Sequence, residues 1–172
     1  MSDIIFQSQD PYTLSDNLFQ RIGRDWMLIT AADETGKWNT MTASWGMTGI
    51  LWNKTVAVCF VRPQRYTDEF IRKTDRLTLS FFDEEMHAAL AFCGKNSRRD
   101  VDKAAETGLI PHTLPSGSIT FAQAHLVLEC RKLYADVLKK DSLLETALLS
   151  HYPIDDFHHV YICEIENCLI RA

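Results

Sequence analysis

Apolar and polar positions alternate through much of the first half of the chain in the way strands require. Residues 26–32 and 37–44 are strand-like runs. Between them lie Asp33, Glu34, Thr35 and Gly36, whose acidic start and closing glycine suit a short hairpin loop. Residues 55–61 are rich in β-branched side chains, and in 77–82 Leu77, Leu79 and Phe81 alternate with Thr78 and Ser80, as in a half-buried strand. Short helices are predicted between these strands. Thr67 is placed to cap one, with Asp68 and Glu69 in its first turn, Arg72 and Lys73 in its last, and Tyr66 and Ile71 at hydrophobic-staple positions. A second is expected from Asp83, with Met86, Ala89, Leu90 and Cys93 on one face and Gly94 as its stop. A third runs from Ser97, with Asp100 completing a variant capping box, to about Gly108.

The second half returns to strands. In 125–138, Leu126, Leu128 and Cys130 share one parity while Leu133, Ala135 and Val137 take the other, so a one-residue bulge is expected near Arg131 and Lys132. Residues 141–150 carry Leu143, Leu144, Ala147 and Leu148 at helical spacing. Residues 158–170 close the chain as a strand with Tyr161, Cys163 and Ile165 on one face. Strands of this number and length predict a mainly β fold, a closed or partly open β-barrel with helical inserts, rather than a doubly wound sheet. No repeat, low-complexity tract or linker interrupts the 172 residues, so 1–172 is read as a single domain.

Composition narrows the function. Eighteen basic against 23 acidic residues give a formal charge of −5, the wrong sign for a general nucleic-acid binder. The uncharged stretch 38–53 is too polar and too short to span a membrane, and the N-terminal ten residues lack the pattern of a leader. The five cysteines are odd in number, irregularly spaced and mostly set in apolar runs, so reduced thiols in the cytoplasm are expected, with packing as the role of Cys93. Neither GxGxxG nor GxxxxGK[ST] occurs, and Thr42 replaces the first glycine of a nucleophile elbow around Ser44. His158, His159, Cys163 and Cys168 would divide between the two faces of one strand, so no metal site is expected.

Three stretches carry chemistry. Residues 39–46 end a strand with Thr42, Ala43, Ser44 and Trp45; their backbone amides and indole suit the edge and face of a flat heterocycle, and equally suit a barrel strand with Trp45 in the core. Arg62 and Arg65 leave a strand just before a helix, which suits a phosphate, although Asp68 and Glu69 already occupy the positive end of that helix; a solvated basic loop is the other reading. In 93–103, Gly94, Lys95, Asn96 and Ser97 form a polar connection between two helices with Lys103 one turn on, suited to ring carbonyls or a polyol chain, or to a simple helix connection.

Taken in order, Asn39-x-Met41-Thr42-Ala43-Ser44-Trp45-Gly46, Leu51-Trp52, Val61-Arg62-Pro63-x-Arg65-Tyr66-Thr67, Thr78-Leu79-Ser80-Phe81, Cys93-Gly94-x-x-Ser97-x-x-Asp100-x-Asp102-Lys103 and the closing 161–165 run resemble the flavin reductase-like, flavoredoxin-type FMN-binding split-barrel family. The resemblance implies a split-barrel homodimer with one FMN per subunit near the dimer interface. It places Asn39, Thr42, Ala43, Ser44 and Trp45 along the isoalloxazine, Arg62, Arg65, Tyr66 and Thr67 at the phosphate end, and Gly94, Asn96, Ser97 and Lys103 near the ring or ribityl chain. Arg98 departs from the family's smaller residue and is expected to narrow that side. The implied activity is an NAD(P)H-dependent flavin reductase passing electrons through FMN to a second acceptor, with NAD(P)H as a transient visitor and no protein residue demanded as acid, base or nucleophile. The alternatives are an FMN electron carrier reduced by a redox protein partner, and a non-catalytic dimer.

Overall fold

The structure, a computed structural model, describes residues 6–172; the first five positions of the N-terminal run read above for a leader lie outside it. Its strands are β1 (Phe6–Ser8), β2 (Met27–Ala32), β3 (Trp38–Ala43), β4 (Gly46–Leu51), β5 (Lys54–Val61), β6 (Arg76–Phe81), β7 (Pro111–Thr113), β8 (Ile119–Phe121), β9 (Leu126–Val137) and β10 (His159–Arg171). The helices are α1 (Leu18–Gln20), α2 (Tyr66–Lys73), α3 (His87–Lys95) and α4 (Lys103–Thr107). One antiparallel sheet follows the order β3-β2-β6-β9-β10-β5-β4, with β1 added to β10, and β7 and β8 form a separate ribbon. The two ends of that path, β3 and β4, are consecutive in the chain but do not pair with each other. The barrel is split there, and Ser44 and Trp45 cross the opening.

Period-2 patterning explains the two cores. Met27, Ile29, Leu77, Leu79, Phe81, Leu126 and Leu128 fill the barrel interior with Cys59, Cys130, Tyr161 and Cys163. Their opposite-facing neighbours Leu28 and Val127 pack outside with Phe82, Leu90, Cys93 and Phe121, under α3 and the β7–β8 ribbon. All five cysteines are free and buried. Among the described residues no helix is long and apolar enough to cross a membrane.

Local chemistry closes the β2–β3 hairpin as the sequence predicts: Asp33 Oδ1 accepts from the Thr35 and Lys37 amides, and Gly36 takes φ 81°. The long-strand bulge is Leu133, one residue beyond the expected pair; Tyr134 faces Ile162 and Lys132 faces Cys163, leaving Leu133 without a partner. Several helix boundaries need correcting. The N-cap of α2 is Arg65, not Thr67, whose hydroxyl is buried and accepts from Asn39 Nδ2 at 3.0 Å. A 3-10 turn, Glu84–Met86, precedes α3, which continues through Gly94. Gly94 lies inside the helix rather than past its end, and a Cβ there would meet Thr42 Cβ at 3.4 Å, in van der Waals contact. Residues 97–101 form turns on the Ser97 carbonyl, and α4 starts only where Asp102 caps the Ala104 and Ala105 amides, ending at Gly108 with φ 70°.

The helix expected over 141–150 is replaced by two 3-10 turns, Lys140–Ser142 and Thr146–His151. Leu144 is 100 % exposed, so its apolar spacing marks no buried face. Strand β4 is not among the runs that alternation predicts, because its glycines and exposed residues hide the pattern; Trp52 and Asn53, both at positive φ, turn it into β5.

Candidate functional site

Three cavities meet at the split, and Ser44 lines all of them. A pocket of about 220 Å³ is bounded by Thr42, Ala43, Trp45, Arg62, Arg65 and His158. A second, of about 240 Å³, lies between β3 and α3, against Trp26, Thr42, Arg65, Ala91, Gly94 and Lys95. An apolar cleft of about 560 Å³ opens on the other side of Trp45, walled by Ile22, Met47, Phe60, Leu143 and Tyr152. Together they form a cleft that is basic at one end and apolar at the other.

The two arginines differ in how far their charge is spent. Arg62 is ion-paired with Asp156 and donates to the His151 carbonyl at 2.8 Å, so the 138–158 segment straps across it. Gln64 also donates to Asp156, and its hydrogen bond, with help from Arg62, holds that carboxyl below the usual carboxylate range. Arg65 has no carboxylate partner among the described residues; it donates to the Gly94 carbonyl at 2.8 Å and lines both small pockets. Burial, then the neighbouring Arg62, pulls its pKa down, the signature of a cation short of counter-charge.

The acidic start of α2 does not oppose this. Asp68 is fully buried and accepts from Tyr161 at 2.8 Å, with His159 Nδ1 at 2.9 Å and Arg72 Nε at 3.1 Å, while Glu69 pairs with Arg99. Neither carboxylate lines the cavities.

Aromatic groups complete the pocket. Trp45, 42 % exposed, packs edge-on to His151 at 5.4 Å and tilted to His158 at 5.0 Å. His158 shares its Nδ1 with the Tyr152 hydroxyl at 2.9 Å. Burial, then Arg62, pushes it down to about 4, so it is neutral at physiological pH.

Of the residues picked out from the sequence, Thr42, Ala43, Ser44, Trp45, Arg62 and Arg65 surround one pocket, and Gly94 lines the next. The others lie elsewhere. Asn39 and Thr67 bond to each other without lining a cavity, and Asn39 Oδ1 is a buried acceptor with no partner. Tyr66 packs edge-on to Phe70 beneath the Arg99 guanidinium, at 4.4 Å. Asn96 donates to the Phe92 carbonyl, and Ser97 Oγ accepts from the Arg99 amide. Lys103 is buried and donates to the Thr40 and Cys93 carbonyls at 2.8 and 2.9 Å; burial pushes it down to about 8. Arg98 stacks over Trp38 at 4.1 Å and donates to its carbonyl, so it turns toward the start of β3. Burial pushes the Cys93 thiol up, in keeping with packing.

Sequence reasoning missed His151, Tyr152, Asp156, His158 and Trp26. The aromatic density of 151–158 was the available signal, but nothing in its pattern ties it to Arg62. Among the described residues no group of three or more His, Cys, Asp or Glu is arranged to hold a metal.

Comparison with known proteins agrees with this architecture. Among solved structures, flavoredoxin from Methanosarcina acetivorans superposes with a TM-score of 0.62 at 20% identity, over 83% of this chain and 67% of its own. An FMN-binding protein from Thermus thermophilus with bound 1-cyclohex-2-enone gives 0.65 at 17%, over 95% and 78%. The FMN-binding domain of a flavin reductases-like enzyme from Shewanella baltica OS155 gives 0.67 at 14%, over 99% and 79%. No curated protein matches the chain. The family model described as flavin reductase like domain matches residues 19–172, which takes in every strand of the split sheet except β1 and every wall of the cleft except Leu18, and on that match the chain belongs to the flavin reductase like domain family.

Proposed function

We propose that this chain binds FMN in the cleft at the barrel split and acts as an NAD(P)H-dependent oxidoreductase that delivers electrons to a second acceptor. Arg65 carries the reading: a guanidinium with no carboxylate partner among the described residues lines the pocket beside Ser44 and Trp45. A phosphate would supply its counter-charge through charge-assisted hydrogen bonds. The lining fits an amphipathic flat ligand, with a cation at one end, the Ser44 hydroxyl between, and an indole opening on an apolar cleft; the Thr42 hydroxyl already donates to the Leu90 carbonyl and is left as an acceptor. The names of the Thermus and Methanosarcina neighbours, an FMN-binding protein and a flavoredoxin, support the choice of FMN.

Bound FMN supplies hydride acceptance and electron release, chemistry that no side chain of this protein provides. The chain's own part is to hold and shield. Arg65 holds the phosphate, while Arg62, already neutralised by Asp156, orients more than it attracts. Trp45 offers a face for the ring, and the apolar walls keep water from it. His158, neutral down to about pH 4, meets the ligand as a hydrogen-bonding group and not as a cation. The absence of a dinucleotide fingerprint in the sequence supports transient rather than resident NAD(P)H.

Two copies of the chain make the working unit in this reading: Met47, Ile50, Leu51 and Trp52 on the edge strand β4 and its turn are exposed and apolar, a surface that pairing would bury. Five free thiols support a reducing, cytoplasmic setting. The test is anaerobic addition of NADH or NADPH to FMN-loaded protein. Rapid bleaching of the flavin absorbance is expected with at least one; retained FMN that neither bleaches would instead favour a carrier reduced by a protein partner.

A further inference from the structure

Trp26 occupies a backbone conformation that its side chain does not favour. It sits at φ 69°, ψ 168°, directly after a π-helical turn, Arg21–Asp25, and directly before β2. That combination of angles is essentially reserved for glycine, and both π-turns and such outliers concentrate where a side chain must be presented in a particular direction. Glycine at this position would relieve the strain.

The indole faces something specific. It packs tilted against His87 in the first turn of α3, with centroids 4.3 Å apart and planes 31° from parallel. It also lines the pocket between β3 and α3 with Thr42, Ser44, Arg65, Ala91 and Gly94. At about 240 Å³ that pocket is smaller than sites that take a whole ligand, roughly 300–1,000 Å³. It shares Thr42, Ser44 and Arg65 with the basic pocket on its other side. The geometry therefore describes part of a larger ligand: its ring reaches from Trp26 past Ser44 toward Trp45, and Arg65, on the wall the two pockets share, is left for the phosphate. Ala91 and Gly94, the smallest residues on the inward face of α3, leave the room.

We propose that Trp26, backed by His87, is a ligand-contacting residue that forms an aromatic end wall for the flavin ring, a second indole at the site besides Trp45. The inference rests on the FMN reading above and adds to it a residue outside the 39–46, 62–67 and 93–103 motifs. Trp26 also packs against the outer core, so stability and ligand contact must be separated by the test.

FMN is titrated into the full-length apo-protein, and affinity, the visible band and the flavin fluorescence of the bound state are read for wild type, Trp26→Gly, Trp26→Leu and Trp26→Phe. The glycine and leucine variants are expected to bind FMN about tenfold more weakly, with a shifted visible band and brighter bound-flavin fluorescence, because an aromatic contact is lost. The phenylalanine variant is expected to stay within about threefold of wild type, since a ring is kept. Should Trp26→Gly fail to fold, the leucine and phenylalanine pair carries the comparison. Wild-type affinity and an unchanged spectrum in the leucine or glycine variant would overturn the role of Trp26 while leaving FMN binding intact. Wild type that ignores FMN would overturn both.

Discussion

Arg62 and Arg65 have the same charge and stand three residues apart, yet the fold gives them different work. Arg62 is consumed by Asp156 and the His151 carbonyl, whereas Arg65 keeps its charge for the cavity. Arg65→Ala is therefore expected to weaken FMN binding by about 10- to 100-fold, the loss of a charge-assisted contact, with a smaller effect for Arg62→Ala, both read by equilibrium titration. The sequence marks both arginines but cannot rank them, because Asp156 is ninety-four positions from Arg62 and is brought beside it by the pairing of β10 with β5. His158 is a second residue whose behaviour belongs to the fold. Its folded pKa of about 4 lies below the ordinary 6.5, so the unfolded chain takes up a proton first as pH falls. Stability from this group is present above pH 6.5 and lost between pH 6.5 and about 4. A falling Tm across that window, flattened in His158→Gln, is the expected thermal-denaturation result; an unchanged slope in the variant would remove His158 as its source.

Among the elements, the longer strands other than β4 were legible, and the three-residue strands and the helix boundaries were not. Alternation in 26–32, 55–61 and 77–82 reflects burial on defined faces, a local signal that survives into β2, β5 and β6. The start of α2 is set instead by the turn through Pro63 and Gln64, and Thr67 is drawn inward by Asn39, a partner from β3. Lys103 shows the same effect on a larger scale. It looks like a free cation after a polar loop, but its ammonium ties α4 to β3 and α3 through two buried carbonyls. Lys103→Ala is expected to cost about 2–3 kcal/mol of unfolding free energy by leaving those acceptors unpaired, measurable by urea denaturation. Asp156 ties the end of the 138–158 strap to both Arg62 and Gln64, so Asp156→Ala is expected to make residues 140–152 a preferred site of limited proteolysis.

For the molecule as a whole, the feature that matters is that consecutive strands β3 and β4 end on opposite edges of the sheet. The resulting opening brings together residues from β3, β5, the turn before α2, α3 and the 138–158 strap, and no motif in the sequence spans that set. The edge strand β4 also carries the exposed apolar side chains proposed above for a dimer contact. Ile50→Glu with Met47→Glu is expected to shift the protein toward monomer in light scattering, whereas a wild-type monomer would remove that assignment. The most direct measurement for the account is calorimetric titration of wild type and Arg65→Ala with FMN and with riboflavin. FMN should bind wild type more tightly than riboflavin, and the difference should largely vanish in Arg65→Ala; equal affinity of wild type for the two ligands, or a phosphate preference that survives the substitution, would contradict it.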